Sequence, residues 1–279
     1  MSKTLPTLLV LAGTAVSLPA QWVNYPTAGT PRTSDGKPNL TAPARKTPDG
    51  KPDLSGVWQA APTPVEELTR LFGKNLIALA VPGDSPVDFN KYLIDILADF
   101  KPDDAPLRPE FADLLRQRRG TDTPLAHCLP LGIPGDDLLP GPFKIIQTPG
   151  LILLRNEFEN TLRQIYTDGR KPPAQPEPQW LGYSVGKWEA DTLVIDTIGF
   201  NDKSWLDGMG HPHSEALHVV ERFRRRDFGH MDVQVTIDDP KMYSKAFSVH
   251  FTENLLPDSD VMEYFCSENE RDVSHLPKD

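Results

Sequence analysis

Residues 230–239, HMDVQVTIDD, decide the fold, because apolar and polar side chains alternate along them from Met231 to Ile237. A period of two places every second side chain on the same face of a strand. Residues 246–255, AFSVHFTENL, repeat the pattern. The two stretches predict adjacent strands of an antiparallel sheet with one buried face.

The chain from residue 143 onward is a series of similar short runs, rich in β-branched and aromatic residues and separated by turn signals such as Asp168-Gly169. Eight or nine consecutive strands with tight connections predict a mainly β fold, an antiparallel meander that forms a barrel or strongly curved sheet of lipocalin or calycin type. A β-sandwich is the alternative. A barrel of this size can hold one small ligand. The runs are FKIIQT (143–148), GLILLRNEF (150–158), TLRQIYTD (161–168), WLGYSVGKW (180–188), TLVIDTIGF (192–200), EALHVVERFRR (215–225), HMDVQVTIDD, AFSVHFTENL and DVMEYFC (260–266).

Two segments of different character precede the predicted barrel domain, residues 121–279. Residues 21–62 are rich in proline and glycine and carry a repeated turn, TSDGKPNL followed by TPDGKPDL, which predicts an extended arm. Residues 63–120 have apolar side chains three and four positions apart, which predicts a small helical insertion. Residues 121–142 contain too many prolines for regular structure, so we expect a long loop that covers the barrel opening.

The first twenty residues have the features of a secretory signal peptide. Lys3 precedes an apolar stretch, and small residues lie before Gln21. The apolar stretch is too short to span a bilayer, and no later segment is apolar for eighteen residues, so no transmembrane segment is expected. The predicted location is the periplasm or the outside of the cell.

The two cysteines, Cys128 and Cys266, form an even set in a chain predicted to be secreted. This predicts a disulfide between them. A buried free thiol is the alternative. A catalytic cysteine is disfavoured, because the neighbouring His127 points the other way if the segment is extended.

Charge and missing motifs exclude several classes of function. A net charge of -10 argues against nucleic-acid binding, which needs a cationic surface, and we interpret the local cluster RFRRRD (222–227) as a solvated strand end. The chain has no GxSxG elbow, P-loop, dinucleotide fingerprint or HExxH. Serine hydrolases, kinases and nicotinamide enzymes are therefore disfavoured.

The stretch GHPHSE (210–215) is the strongest candidate for chemistry. In an extended segment His211, His213 and Glu215 share one face, and two imidazoles with a carboxylate suit one divalent transition metal. The spacing does not fit the cupin pattern. An ordinary turn before a strand is the alternative.

The preceding loop, GFNDKSWLDGMG (199–210), adds acidic and aromatic groups. Asp202 or Asp207 could orient an imidazole, and Trp205 could stack on a sugar or aryl ring. His213 would then act as general base beside His211.

The strand that follows has to bury a charge on either face. His218 and Arg222 share one face, and Glu221 lies on the other. A buried charge needs a partner, since an unpaired one is very costly. We assign His218, Arg222 and Tyr183 to substrate binding, with a purely structural Glu–Arg pair as the alternative.

Several motifs resemble a family of secreted bacterial β-rich proteins that is frequent in acidobacteria and proteobacteria. They include DGKPDLSGVW (49–58), CLPLGIP (128–134) and GHPHSEALHVVERFRR (210–225). The resemblance implies a secreted β-rich domain and brings no activity with it.

These observations favour a secreted hydrolase or lyase that acts on a small molecule, such as a glycoside or an aromatic derivative. One alternative is a non-catalytic, lipocalin-like small-molecule binding protein of the cell envelope. Another is an assembly protein whose arm docks on a partner or on a second copy of the chain.

Overall fold

The computed structural model describes residues 26–74, 89–118 and 123–266. The predicted signal peptide, residues 1–20, lies outside this range. Among the described residues, no helix is long and apolar enough to cross a membrane.

Nine strands of the described residues form a closed barrel in which each strand pairs with the next along the chain and the last pairs with the first. The prediction of a mainly β, barrel-like fold is confirmed. The strands are β1 (Gly56–Ala60), β2 (Phe143–Thr148), β3 (Leu151–Asn156), β4 (Leu162–Tyr166), β5 (Tyr183–Glu189), β6 (Thr192–Ile198), β7 (His218–Arg225), β8 (His230–Asp238) and β9 (Phe247–Leu255).

The meander departs from the antiparallel prediction at one place, the junction of β4 and β5, which we call the seam. These two strands are parallel, and they pair only through Ile165 with Ser184 and Tyr166 with Val185. Residues 167–182 connect the end of β4 to the start of β5 at the opposite end of the barrel, because a parallel pair cannot be joined by a tight turn. The other neighbouring pairs are antiparallel.

The strand that closes the barrel is not the one that the pattern favours. Residues 260–266, the predicted ninth strand, have no strand structure. Instead β1, from the segment predicted as part of the arm, pairs with both β2 and β9. Trp58 of β1 is fully buried. With β1 in place the barrel has no free edge, so residues 260–266 find no strand to pair with.

The alternation of apolar and polar side chains along β8 determines which of them point into the barrel. The four apolar side chains of β8, Met231 to Ile237, are each at most 2% exposed. Apolar side chains from the other strands fill the space against them. The interior is therefore a packed core over most of its volume.

The arm lies on its own barrel. The Gly229 amide donates to the Leu40 carbonyl at 2.7 Å, and the Phe228 amide donates to the Ala42 carbonyl at 2.7 Å. A Cβ at Gly229 would lie 2.5 Å from Leu40 Cβ, so this approach requires glycine. Leu54, at the end of the arm, is fully buried.

Short helices connect the arm, the barrel and the loop before β2. The periodic residues after position 89 form one helical turn followed by irregular turns. Within the segment predicted to be a loop without regular structure, residues Gly135–Leu138 form a short helix that is buried along its whole length. The helices are α1 (Val65–Phe72), α2 (Lys91–Ile94), α3 (Ala112–Arg118) and α4 (Gly135–Leu138), with 3₁₀ turns at Pro102–Asp104, Pro109–Phe111, Pro124–His127 and Phe158–Asn160.

The predicted disulfide between Cys128 and Cys266 is confirmed. It joins residues 138 positions apart. The bridge ties the start of the loop before β2 to the segment that follows β9.

Candidate functional site

The seam opens into a cavity of about 630 Å³, which we call the seam cavity. It exists because the two parallel strands pair at only two positions and diverge beyond them. Arg163 of β4 and Ser184 of β5 form part of its lining, and both are almost fully buried. The other lining groups include aromatic rings and amide or ammonium donors, from Tyr166, Gln179, Trp180, Tyr183, Asn201 and Lys203.

Arg163 links the seam cavity to the barrel interior. Its guanidinium donates to Ser184 Oγ at 3.1 Å, to Thr197 Oγ1 at 2.9 Å and to both carboxylate oxygens of Glu221, one of them at 2.9 Å. Burial alone would lower the pKa of Arg163, but the charge and hydrogen bonds of Glu221 outweigh it and raise that pKa. The buried charge that the sequence predicts on β7 is therefore Glu221, and its partner comes from β4.

Three further carboxyl groups lie buried inside the barrel without a full set of partners. Asp136 and Asp137 of α4 each have one oxygen with no hydrogen-bond partner, and Glu253 of β9 has two. Burial raises the pKa of Asp136 to about 6 and raises the pKa values of Asp137 and Glu253 well above their ordinary range. Asp137 and Glu253 are therefore held as neutral acids, because an unpaired buried carboxylate is very costly, whereas Asp136 ionises as the pH rises through about 6.

The raised pKa of Asp136 predicts a pH-dependent stability. An acid whose pKa is higher in the folded chain stabilises the fold fully below its unfolded pKa, and this contribution is lost as the pH rises through the folded value. The free energy of unfolding should therefore fall between about pH 4 and pH 6, by about 3 kcal/mol from this group, for a pKa moved from 3.8 to about 6.

Urea denaturation of Asp136→Asn beside the parent chain measures this term. The variant should show a shallower fall in the free energy of unfolding across this interval, because an amide does not titrate. Its amide oxygen can still accept the hydrogen bond that Thr161 donates to Asp136 at 2.8 Å. Asp191→Asn, at an exposed position, is the control and should keep the parent slope. Equal slopes in all three proteins would contradict the prediction.

The second part of the site is a hydrogen-bonded chain between Ser204 and His213. The Ser204 hydroxyl lies 2.7 Å from His213 Nε2, and His213 Nδ1 lies 3.3 Å from the Ser214 carbonyl oxygen. A carbonyl only accepts, so Nδ1 carries the ring proton and Nε2 accepts from Ser204. Burial lowers the pKa of His213, which favours this neutral imidazole.

Gly132 packs against both Ser204 of this pair and Trp180 of the seam cavity's lining. A Cβ at Gly132, where φ is +76°, would lie 2.6 Å from Ser204 Oγ and 3.2 Å from the Trp180 carbonyl oxygen. Trp180, Pro130, Asn201 and Lys203 line the cavity. Ser204, which is buried and follows Lys203 in the chain, therefore lies behind the part of the cavity wall formed by Lys203 and Trp180, and only glycine leaves room at position 132.

His211 is held by a carboxylate rather than placed beside His213. Its Nδ1 lies 2.6 Å from Asp207 Oδ2 and 3.8 Å from Asp95 Oδ1. In the described parts of the chain this is the one set of three ligand-type residues whose atoms lie within 4.8 Å of one another. Asp207 also accepts from the backbone amides of Ile96 and His211, so a metal would have to displace bonds that hold the loop to the segment after α2.

The predicted metal set of His211, His213 and Glu215 is not brought together. Glu215 is exposed, and His213 contacts Ser204. Asp207 orients His211, whereas Asp202 is exposed to solvent.

The predicted substrate-binding residues are dispersed. Trp205 is buried with the Arg118 guanidinium 5.3 Å from its ring centroid, and its face is thus covered. His218 and Arg222 lie on the outer surface, bonded to Asp196 at 3.1 Å and Glu189 at 2.9 Å. Tyr183 lines the seam cavity and stacks on Tyr166 with ring centroids 5.3 Å apart.

Sequence reasoning missed Arg163 and Ser204. Arg163 had a usable signal, because it shares strand parity with the buried Ile165 in TLRQIYTD. Ser204 had none, since its partner is nine positions away in an irregular loop. No protein-family model, curated protein or solved structure matches the chain.

Proposed function

We propose that the protein is an enzyme of the hydrolase or lyase class that acts on a small molecule bound in the seam cavity. The observation that carries the proposal is the chain Ser204–His213–Ser214 carbonyl directly behind the cavity wall. A hydroxyl, a base within hydrogen-bond reach and a third group that orients the base are the signature of an activated nucleophile or proton relay.

The cavity lining supports a substrate that carries both a ring and polar groups. Trp180 and Tyr183 offer aromatic surface, and Gln179 and Asn201 offer amide groups. Rings stack on aromatic side chains while a few polar groups fix orientation. A glycoside or an aromatic derivative fits these requirements.

The disulfide supports a location in the periplasm or outside the cell, since such bridges persist in oxidising compartments. The resemblance of its motifs to those of secreted bacterial proteins favours the same location.

The two alternatives receive less support. The barrel interior is packed with side chains, so a carrier would have to use the seam cavity rather than a lipocalin-like interior. The described part of the arm packs on its own barrel, which leaves less of it for assembly.

Turnover of small chromogenic substrates tests the proposal. We expect an aryl glycoside or aryl ester to be cleaved by the parent chain, and His213→Gln to lower kcat/KM by about 10²–10⁴-fold, because loss of a general base costs that much. The control is His250→Gln, a histidine on the exposed outer face of β9, which should keep the parent rate. A ligand that binds without turnover would favour the carrier, and cleavage unaffected by His213→Gln would refute the proposal.

A further inference from the structure

We infer that Ser204 is a covalent nucleophile and that the substrate class is carboxylic esters with a ring-bearing acyl or alcohol part. The inference rests on the proposed function and names its chemistry. Ser204 lies outside any GxSxG elbow, so sequence motifs argue against a serine hydrolase. Nucleophile and base pairs recur on unrelated folds, however, and are identified by their geometry.

Ser204 is held against a base that can take its proton. Its Oγ is 2.7 Å from an imidazole nitrogen that can only accept, and both side chains are at least 97% buried. The edge of the Phe200 ring packs on the imidazole with centroids 6.2 Å apart. A serine hydroxyl is a weak nucleophile by itself and is activated by such an adjacent base.

The reaction balances with the groups present and one water. Ser204 Oγ attacks the ester carbonyl carbon as its proton moves to His213 Nε2, and an Oγ–carbon bond forms. The carbon–oxygen bond to the alcohol breaks, and Nε2 returns the proton to the departing oxygen. Water then attacks the acyl carbon as Nε2 takes one of its protons, the bond between that carbon and Oγ breaks, and Nε2 returns the proton to Oγ as the carboxylic acid leaves.

The partner of His213 favours esters over amides. Nδ1 faces the Ser214 carbonyl rather than a carboxylate, so the imidazolium formed during attack receives only the dipole of a carbonyl. A buried carboxylate in that place stabilises the imidazolium and its loss is costly. A weaker base suits an ester, whose alkoxide is a better leaving group than the amide anion of a peptide.

The position of the cavity defines how the ester reaches Ser204. Ser204 is 2% exposed, so the wall formed by Trp180 and Lys203 has to shift to bring the ester to Oγ. Asn201 and Lys203, which flank Ser204 in the chain and line the cavity, are the nearby donors for the developing oxyanion. Lys203 is exposed and Asn201 Oδ1 accepts from the Lys203 amide, so the Asn201 side-chain amino group points away from that bond.

The experiment is to trap the acyl group. The mature chain is treated with p-nitrophenyl acetate and, separately, with a fluorophosphonate, and the site of modification is mapped by intact-mass and peptide mass spectrometry. We expect one adduct, on Ser204, absent from Ser204→Ala and strongly reduced in His213→Gln. Ser204→Ala should lower kcat/KM for the ester by at least about 10³-fold.

The control is Ser248→Ala, which removes a serine hydroxyl bonded at 2.8 Å to Thr236 on the outer face. It should be labelled like the parent chain. Because the modified residue is mapped in the parent chain, the result stands even if Ser204→Ala does not fold.

The remaining outcomes separate the two proposals. A His213-dependent turnover without an adduct on Ser204, or an adduct on another residue, overturns the nucleophile and leaves the proposed function standing. Absence of both an adduct and any His213-dependent turnover overturns both.

Discussion

Arg163→Met is expected to lower the free energy of unfolding by about 3–5 kcal/mol at pH 7. The substitution leaves Glu221, which is 0% exposed, without the cation that binds both of its oxygens. It also removes the donor to Ser184 and Thr197. Breaking a buried pair from one side is far more costly than replacing both partners, because the surviving charge cannot reach water.

Urea denaturation followed by circular dichroism measures the loss. The double variant Arg163→Met/Glu221→Leu should recover much of it, since a matched apolar pair removes the stranded charge. The outer-face pair Arg222 and Glu189, joined at 2.9 Å, supplies the control, and Arg222→Met should cost no more than about 1 kcal/mol. A similar small cost at both arginines would show that the barrel interior admits water.

Loss of the disulfide is expected to lower the free energy of unfolding by about 4–5 kcal/mol. The bridge closes a loop of 138 residues, and the chain-entropy model assigns this value to a loop of that length. In this model the loss arises in the unfolded chain, whose conformations the bridge restricts.

Denaturation of Cys128→Ser/Cys266→Ser is to be compared with the parent chain, with and without dithiothreitol. The reduced parent should match the double variant, and reductant should not change the variant. Unaltered stability of the parent after complete reduction, verified by thiol counting, would refute the prediction.

The chain's own pattern determined the strands from β2 to β9 and, in β8 and β9, which face is buried. Alternation in β8 and β9 foretold which side chains enter the barrel, because successive side chains of a strand point to opposite faces whatever the strand pairs with. The pairing of Cys128 with Cys266 was also foreseeable, since two cysteines in an oxidising setting leave one possible bridge. On β7 the sequence required a partner for a buried charge without naming the partner.

Only the tertiary structure decided which segments meet. Closure by β1 rather than by residues 260–266 depends on which strand can pair with both free edges, and no local pattern records that. The parallel seam depends on residues 167–182 running from one end of the barrel to the other before β5 begins. The partnership of Arg163 with Glu221, and of Ser204 with His213, follows from these long-range choices. Periodicity is a property of neighbouring residues along the chain, whereas the identity of a buried partner depends on closure and register of the whole barrel.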